Sequence, residues 1–182
     1  MSLVVVGSVA LDTVETPFGS ITDGLGGTAV YFSTAASLFT RVSLVGVVGD
    51  DFPDEHRKLL ESRHVDVDGL VSMPGRTFRW TGKYDYDLNV AQTLDTQLNV
   101  FAGFRPNLPE SYRSAEYVFL GNIDPELQLG VLDQVRQPRF TLLDTMNFWI
   151  EGKREKLAEA IRRVNAVTMN EAEIREFTQQ YN

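Results

Sequence analysis

The chain has 182 residues, 43% of them hydrophobic, no cysteine, and a formal net charge of −8 at pH 7. That length suits one α/β domain or part of a larger one. The lack of cysteine excludes disulfides and thiolate metal sites, and an acidic balance without a Lys/Arg cluster argues against nucleic acid as the main partner. No apolar run approaches the roughly 20 residues of a membrane span. The start, MSLVVVGSVALD, has no basic n-region and reads as a buried strand, not a signal peptide. A cytoplasmic location without membrane contact is the expectation.

Leu3–Val6 is a short apolar run of the buried-strand type. Val14–Gly24, with Pro17, Gly19 and Gly24, reads as a hairpin or loop. Ala29–Phe39 is a helix with Phe32, Ala35, Ala36 and Phe39 on one face, and Val42–Val48 is a second strand. Pro53–Arg63 is the next helix. Arg76–Asp87 (RTFRWTGKYDYD) alternates and is aromatic-rich, and Gln97–Phe101 adds an extended piece. These segments read as strands outside the main sheet, either an edge hairpin or a flap over a cleft. Tyr117–Leu120, Phe140–Leu143 and Ala166–Met169 are further strands. Between them lie helices Glu126–Val135, with Asp124 as cap and Pro125 in the first turn, and Glu155–Val164. Strands alternating with helices predict a largely parallel sheet covered on both faces.

Ligands of open α/β sheets bind outside the carboxyl ends of the strands. Asp12 directly follows the first strand, where a carboxylate accepts hydrogen bonds from neighbouring sugar hydroxyls; a solvated turn aspartate is the plainer reading. Gly26-Gly27 opens a helix and permits close approach and positive φ, with helix N–H groups offered to oxygen atoms. A simple tight turn is the alternative. Asn122, Asp144 and Asn147 follow the third and fourth main-sheet strands: Asn122 and Asn147 as hydroxyl-binding groups, Asp144 as a turn cap or a group near phosphates, and each equally as loop structure. Asn170 and Glu173 form a helix-capping pattern. Arg79 and Lys83 read as solvated charges by default. Trp149 reads as a core or interface aromatic, and His56 and His64 as surface or helix residues.

The run GGTAVYFSTAAS followed by VSLVGVVGDD resembles the N-terminal signature of the ribokinase-like (PfkB) family of carbohydrate and nucleoside kinases. Asp12 matches that family's sugar-binding aspartate, Arg76–Asp87 is similar to its lid, and VTMNEAEIREF resembles its Asn-x-x-Glu segment. The resemblance implies a three-layer α/β/α fold with a mostly parallel sheet and a small β lid. The lid segments would lie at approximately residues 13–24 and 76–101, inserted in an incomplete kinase domain over residues 1–182. It implies ATP-dependent phosphorylation of a sugar hydroxyl with Mg²⁺; a nucleoside substrate or a non-catalytic sugar-binding module are the alternatives. Asp12, Gly26, Gly27, Tyr31 and Asn122 would bind substrate. Asn170 and Glu173 would serve the nucleotide phosphates, with Glu173 toward the metal. Pairing of lids into a homodimer is implied as well. Two positions depart from the pattern: Tyr31 stands where an asparagine is common, and Phe39-Thr40 where a glycine usually closes the helix. No Gly-Ala-Gly-Asp stretch, the family's base-bearing motif, occurs among the glycines here, nor does a Walker-type loop. The expectation is therefore that the base aspartate lies beyond Asn182 and that this chain is the front, substrate-binding portion, with little activity alone.

Overall fold

A computed structural model describes residues 2–88 and 91–180. Five main-sheet strands form where apolar runs occur: β1 (Ser2–Val6), β4 (Arg41–Gly49), β8 (Tyr117–Leu120), β9 (Phe140–Asp144) and β10 (Ala166–Thr168). A sixth, β5 (Val65–Met73), completes a parallel sheet of order β10-β9-β8-β1-β4-β5. The strand β5 was not expected from the sequence. It lies at a sheet edge, where Asp66 and Asp68 interrupt the apolar run that marks a central strand.

Side chains alternate across this sheet as strand geometry requires. Val4, Val6, Val45, Val47, Val118 and Leu120 face one core; Val5, Val42, Leu44, Val48 and Phe119 face the other. The second core is covered by α1 (Thr28–Ala36) and α2 (Asp54–Ser62), through Ala29, Val30 and Leu60. The first is covered by α3 (Pro125–Leu132), α4 (Asn147–Gly152) and α5 (Arg154–Ile161), through Leu129, Val131, Ile150 and Leu157. Phe177 of α6 (Glu171–Thr178) packs on the same side. The result is the three-layer α/β/α arrangement. Helix α3 starts as its sequence dictates: Asp124 accepts a hydrogen bond from the Glu126 N–H at 3.0 Å, with Pro125 at the first helical position.

A second sheet stands apart, in the order β3-β2-β6-β7. Its strands are β2 (Ala10–Thr16), β3 (Gly19–Gly26), β6 (Phe78–Tyr84) and β7 (Ala91–Gln97). Only Gly7, Ser8 and Val9 separate β1 from β2, so this sheet sits directly at the carboxyl end of β1. The extended piece expected at Gln97–Phe101 is corrected here: β7 ends at Gln97 and a 3₁₀ turn follows over Asn99–Gly103. Asn99 adopts φ 49°, its side chain donates to the Thr77 carbonyl at 3.0 Å, and the Val100 N–H donates to the Arg76 carbonyl. These bonds curl the chain back toward β6 instead of prolonging the strand.

Leu120 is fully buried where β8 meets the α3–α5 layer. Its replacement by alanine should lower the unfolding free energy by about 2–5 kcal/mol in a denaturant titration.

Candidate functional site

The turn after β1 sets the geometry of the site. Ser8 accepts the Thr28 N–H on its Oγ at 3.0 Å and the Ala29 N–H on its carbonyl at 3.1 Å. The Val30 and Tyr31 N–H groups both donate to the Gly27 carbonyl. The first turn of α1 is thus satisfied from within, so the N–H groups that sequence reasoning offered to a ligand are already engaged. Ser8 was not among the candidate residues; its place two residues beyond a buried strand was the available signal.

The two glycines act in a different way. A Cβ on Gly26 would lie 1.9 Å from Oδ2 and 2.3 Å from Cγ of Asp12. Gly26 is therefore the slot into which the Asp12 carboxyl group fits. Gly27 has φ 92°, a conformation L side chains rarely adopt, and a Cβ there would meet the Ser8 carbonyl oxygen at 2.4 Å. Across the slot, the Tyr31 hydroxyl donates to Asp12 Oδ2 at 3.3 Å. Burial pushes the Asp12 carboxyl above the usual carboxylate range, opposed by hydrogen bonds from Tyr31 and the Gly27 N–H. Burial and the neighbouring carboxylate together push Tyr31 up to about 12. Asp12, Gly26, Gly27 and Tyr31 form one group, between the main sheet and the second sheet.

The second sheet is fastened beside that group. Asp51, at the end of β4, accepts from both the N–H and the hydroxyl of Thr77 at 2.7 Å through Oδ1, and from Arg79 at 2.7 Å through Oδ2. Burial alone would raise Asp51, but the bonds from Thr77 and Arg79 outweigh it and hold the carboxyl down to about 2. Arg79 also reaches Asp23 of β3 at 3.2 Å. Thr77 in turn accepts the Gly49 N–H, and Asp50 exchanges backbone and side-chain bonds with Gly75. Arg79 is therefore no solvated flap charge: its side chain is 15% exposed and paired with two carboxylates. Lys83 is exposed.

The remaining candidates lie along the other half of the sheet. Asn122 follows β8, and its Oδ1 accepts the Trp149 indole N–H at 2.9 Å, which ties it to α4 and not to the Asp12 group. The buried Gln128 joins the ends of β8 and β9, donating to the carbonyls of Gly121 and Asp144 at 2.9 Å each. Burial, and then the charge of Glu173, push Asp144 up to about 6. Asn147 is the first residue of α4 and is exposed. Asn170 and Glu173 make a complete capping box at the start of α6: Asn170 Oδ1 accepts the Glu173 N–H, and Glu173 Oε2 accepts the Asn170 N–H, both at 2.9 Å. Strand β10, which leads into that cap, is three positions from β1. At about 4.8 Å per strand, roughly 14 Å of sheet edge separates the two ends.

Against known proteins, the chain matches the pfkB family carbohydrate kinase domain over residues 2–182. The chain belongs to the PfkB family. A curated cytidine kinase of Thermococcus kodakarensis is 32% identical over 176 residues, covering 95% of this chain and 63% of that protein. The nucleoside kinase of Methanocaldococcus jannaschii, an archaeal member of the ribokinase family, superposes with a TM-score of 0.76 at 19% identity, covering 98% of this chain and 63% of that one. Adenosine kinase from Sinorhizobium meliloti gives 0.80 at 14% identity, over 100% of this chain and 68% of its own. The two superpositions establish the ribokinase-like fold. The chain spans somewhat under two thirds of the length of the first two relatives. Among the described residues no helix is long and apolar enough to cross a membrane.

Two outcomes follow for this PfkB chain. Gly26→Ala forces Asp12 from its slot and should cost roughly 1–3 kcal/mol in thermal or denaturant unfolding. In an Asp12→Ala background the same change should cost much less, as a double-mutant cycle will show. The second outcome concerns Asp144 and depends on pH. The folded protein holds its proton more tightly than the unfolded chain, whose carboxyl sits near the ordinary 3.8. The cost of ionising it is absent below about pH 4 and complete above about pH 6. Asp144→Asn should therefore raise stability at pH 8 by on the order of 2 kcal/mol, with the gain vanishing toward pH 4.

Proposed function

We propose that this chain carries the acceptor site of a kinase that transfers the γ-phosphoryl group of ATP, with Mg²⁺, to a hydroxyl of a sugar ring. The ring belongs to a free sugar or to a nucleoside. The observation that carries this reading is Asp12: it does not directly follow β1, as the sequence suggested, but sits in β2 of the second sheet, a desolvated carboxylate fixed in a glycine slot a few residues beyond the carboxyl end of the central strand. A carboxylate so placed accepts two hydrogen bonds from vicinal hydroxyls, which return the solvation that burial removed. Membership of the PfkB family supports phosphoryl transfer, and the cytidine, nucleoside and adenosine kinases among its relatives support the nucleoside alternative.

The roles divide along the sheet edge. Asp12 binds and orients the acceptor, Gly26 and Gly27 hold Asp12 in place, and Tyr31 closes the slot. Asn122 has its Oδ1 committed to Trp149, so its amide N–H groups are the part left to approach a hydroxyl. Asn170 and Glu173 serve the phosphates and the metal. Among the described residues no group of three or more His, Cys, Asp or Glu is gathered for a metal. Mg²⁺ takes one or two carboxylates together with phosphate oxygens and water. Asp144 and Glu173 supply hard oxygen donors; burial raises Asp144 first and the charge of Glu173 second, and a divalent cation would offset both. The cap uses Glu173 Oε2, leaving Oε1 as the oxygen that would face the cation or its water shell. Bound there, Mg²⁺ would neutralise phosphate charge during in-line transfer.

The second sheet serves as lid over the acceptor and as the surface for pairing with a second copy. Its apolar Phe18 and Tyr86 are 72% and 80% exposed, and Ile21 and Leu94 are exposed with them. The cytoplasm suits a kinase using ATP.

The deciding experiment is calorimetric titration of ribose and nucleosides into the chain and its Asp12→Asn variant, beside an assay of phosphoryl transfer from Mg·ATP. Asp12→Asn should weaken acceptor binding at least about tenfold, through the loss of charge-assisted hydrogen bonds. Equal binding by both proteins would remove Asp12 from the site.

A further inference from the structure

We infer that Gln128 is a positioning residue: its side-chain amide sets the spacing between the acceptor half of the sheet edge, which leads to Asp12 and Asn122, and the phosphate half, which carries Asp144 and Glu173. The inference rests on the proposed roles of those two halves and adds the side chain that holds them in register. Three observations carry it.

The first is where its two bonds go. Gln128 lies on α3, fully buried, and its Nε2 donates to the carbonyls of Gly121 and Asp144 at 2.9 Å each. Gly121 immediately precedes Asn122, and Asp144 bears the carboxylate itself. The last ladder pair between β8 and β9 is Leu120 with Leu143, so Gly121 and Asp144 are the next positions along each strand. The glutamine bridges the two strands at the step where their own pairing stops.

The second is what lies on either side of this bridge. On one side the Gly121 N–H donates to the Val6 carbonyl at 2.7 Å, at the end of β1. A Cβ on Gly121 would meet that carbonyl oxygen at 3.1 Å and the Gly7 Cα at 3.2 Å, so Gly121 is seated on the turn that leads to Asp12. On the other side Asp144 pairs with Thr168 of β10, two residues before Asn170. Backbone contacts therefore hold each half together. The Trp149 bond to Asn122 also crosses the seam between the halves, but it reaches α4 and not the strand that carries Asp144. Gln128 makes the crossing at the strand ends themselves.

The third is the choice of side chain. Helix α3 otherwise turns Leu129, Val131 and Leu132 to the core. A buried amide in that setting loses its hydration. Two carbonyl acceptors can take only its NH₂ end, which settles the orientation of the amide. Its Oε1 is then left buried with no donor among the described residues. Stability alone favours an apolar side chain over such a group. An apolar side chain cannot hold two acceptors at a set distance, whereas one NH₂ with two donors can. In-line phosphoryl transfer demands that setting, because the acceptor hydroxyl and the phosphate must be kept at a fixed separation.

The test uses the full chain, with ribose as the acceptor probe and Mn²⁺ as a paramagnetic stand-in for Mg²⁺. In the unsubstituted protein, bound Mn²⁺ should speed the relaxation of bound ribose protons, an effect that falls steeply with distance. Gln128→Met keeps the length of the side chain without its donors. It should leave the separate affinities for ribose and Mn²⁺ within about twofold. It should weaken the relaxation effect about twofold, as a shift on the order of 1–2 Å over two or three strand spacings would. Gln128→Asn, too short to reach both carbonyls, should do the same. An unchanged relaxation effect in Gln128→Met overturns the inference, as does its absence from the unsubstituted protein. An equal loss of both affinities, the result of a merely structural role, overturns it too. Should both variants fail to fold by circular dichroism, hydrogen exchange of the Gln128 amide in the unsubstituted protein decides: slow exchange of both protons is expected, and fast exchange overturns the inference. Asp12→Asn and Glu173→Gln report separately on the underlying sites. If ribose binding survives the first or Mn²⁺ binding the second, the reading of the two halves falls. If each variant loses its ligand while Gln128→Met keeps the relaxation effect, only the role of Gln128 falls.

Discussion

A carboxylate leaves water at a cost that only donors or a ligand can offset, and the region around Asp12 is shaped by that constraint. The group sits against a backbone position where no side chain fits, with a tyrosine hydroxyl and an amide N–H as donors. The turn that carries Asp12 from β1 also supplies Ser8, which satisfies the start of α1. One tripeptide, Gly7 to Val9, therefore joins the central strand, the first helix and the second sheet. Changing any of these partners moves the carboxylate, because all of them meet in backbone contacts with little slack.

The parallel sheet then distributes tasks by strand order. Strands β8, β9 and β10 end side by side, so Asn122, Asp144 and Asn170 fall in a row although the sequence scatters them, and the turn after β1 leads into β2 and Asp12 on the far side of that row. Charge density differs along that row. At one end a single buried carboxylate, Asp12, accepts hydrogen bonds from Tyr31 and Gly27; at the other, Asp144 and Glu173 repel each other. The first arrangement suits a neutral polyol, the second a cation.

Much of this was readable from residues alone, for identifiable reasons. Central strands are buried on both faces, so Leu3–Val6 and Val42–Val48 announce themselves as apolar runs. The capping box at Asn170 and Glu173 is a local motif, complete within four residues, and forms as written. Edge strand β5 was missed because half its residues face water. The 3₁₀ turn at Asn99 was missed because it depends on Thr77 and Arg76, distant in sequence. Arg79 was misread for the same reason: its partners Asp51 and Asp23 belong to other strands. The glycine pair was correctly singled out, yet its physical task, making room for Asp12, is visible only once β2 and β3 are paired in register.

The Asp51 clamp has a mechanical consequence. The second sheet meets the body covalently at four points, before β2, after β3, before β6 and after β7, and all four lie at one end of its strands. The bonds from Asp51 to Thr77 and Arg79 reinforce that same end. The sheet is therefore a cantilever. Asp12 lies near its built-in root, whereas Phe18 and Tyr86, joined by an edge-to-face ring contact, lie at its free tip. A cantilever deflects least at its root, so the carboxylate sits in the part of the sheet best protected from bending.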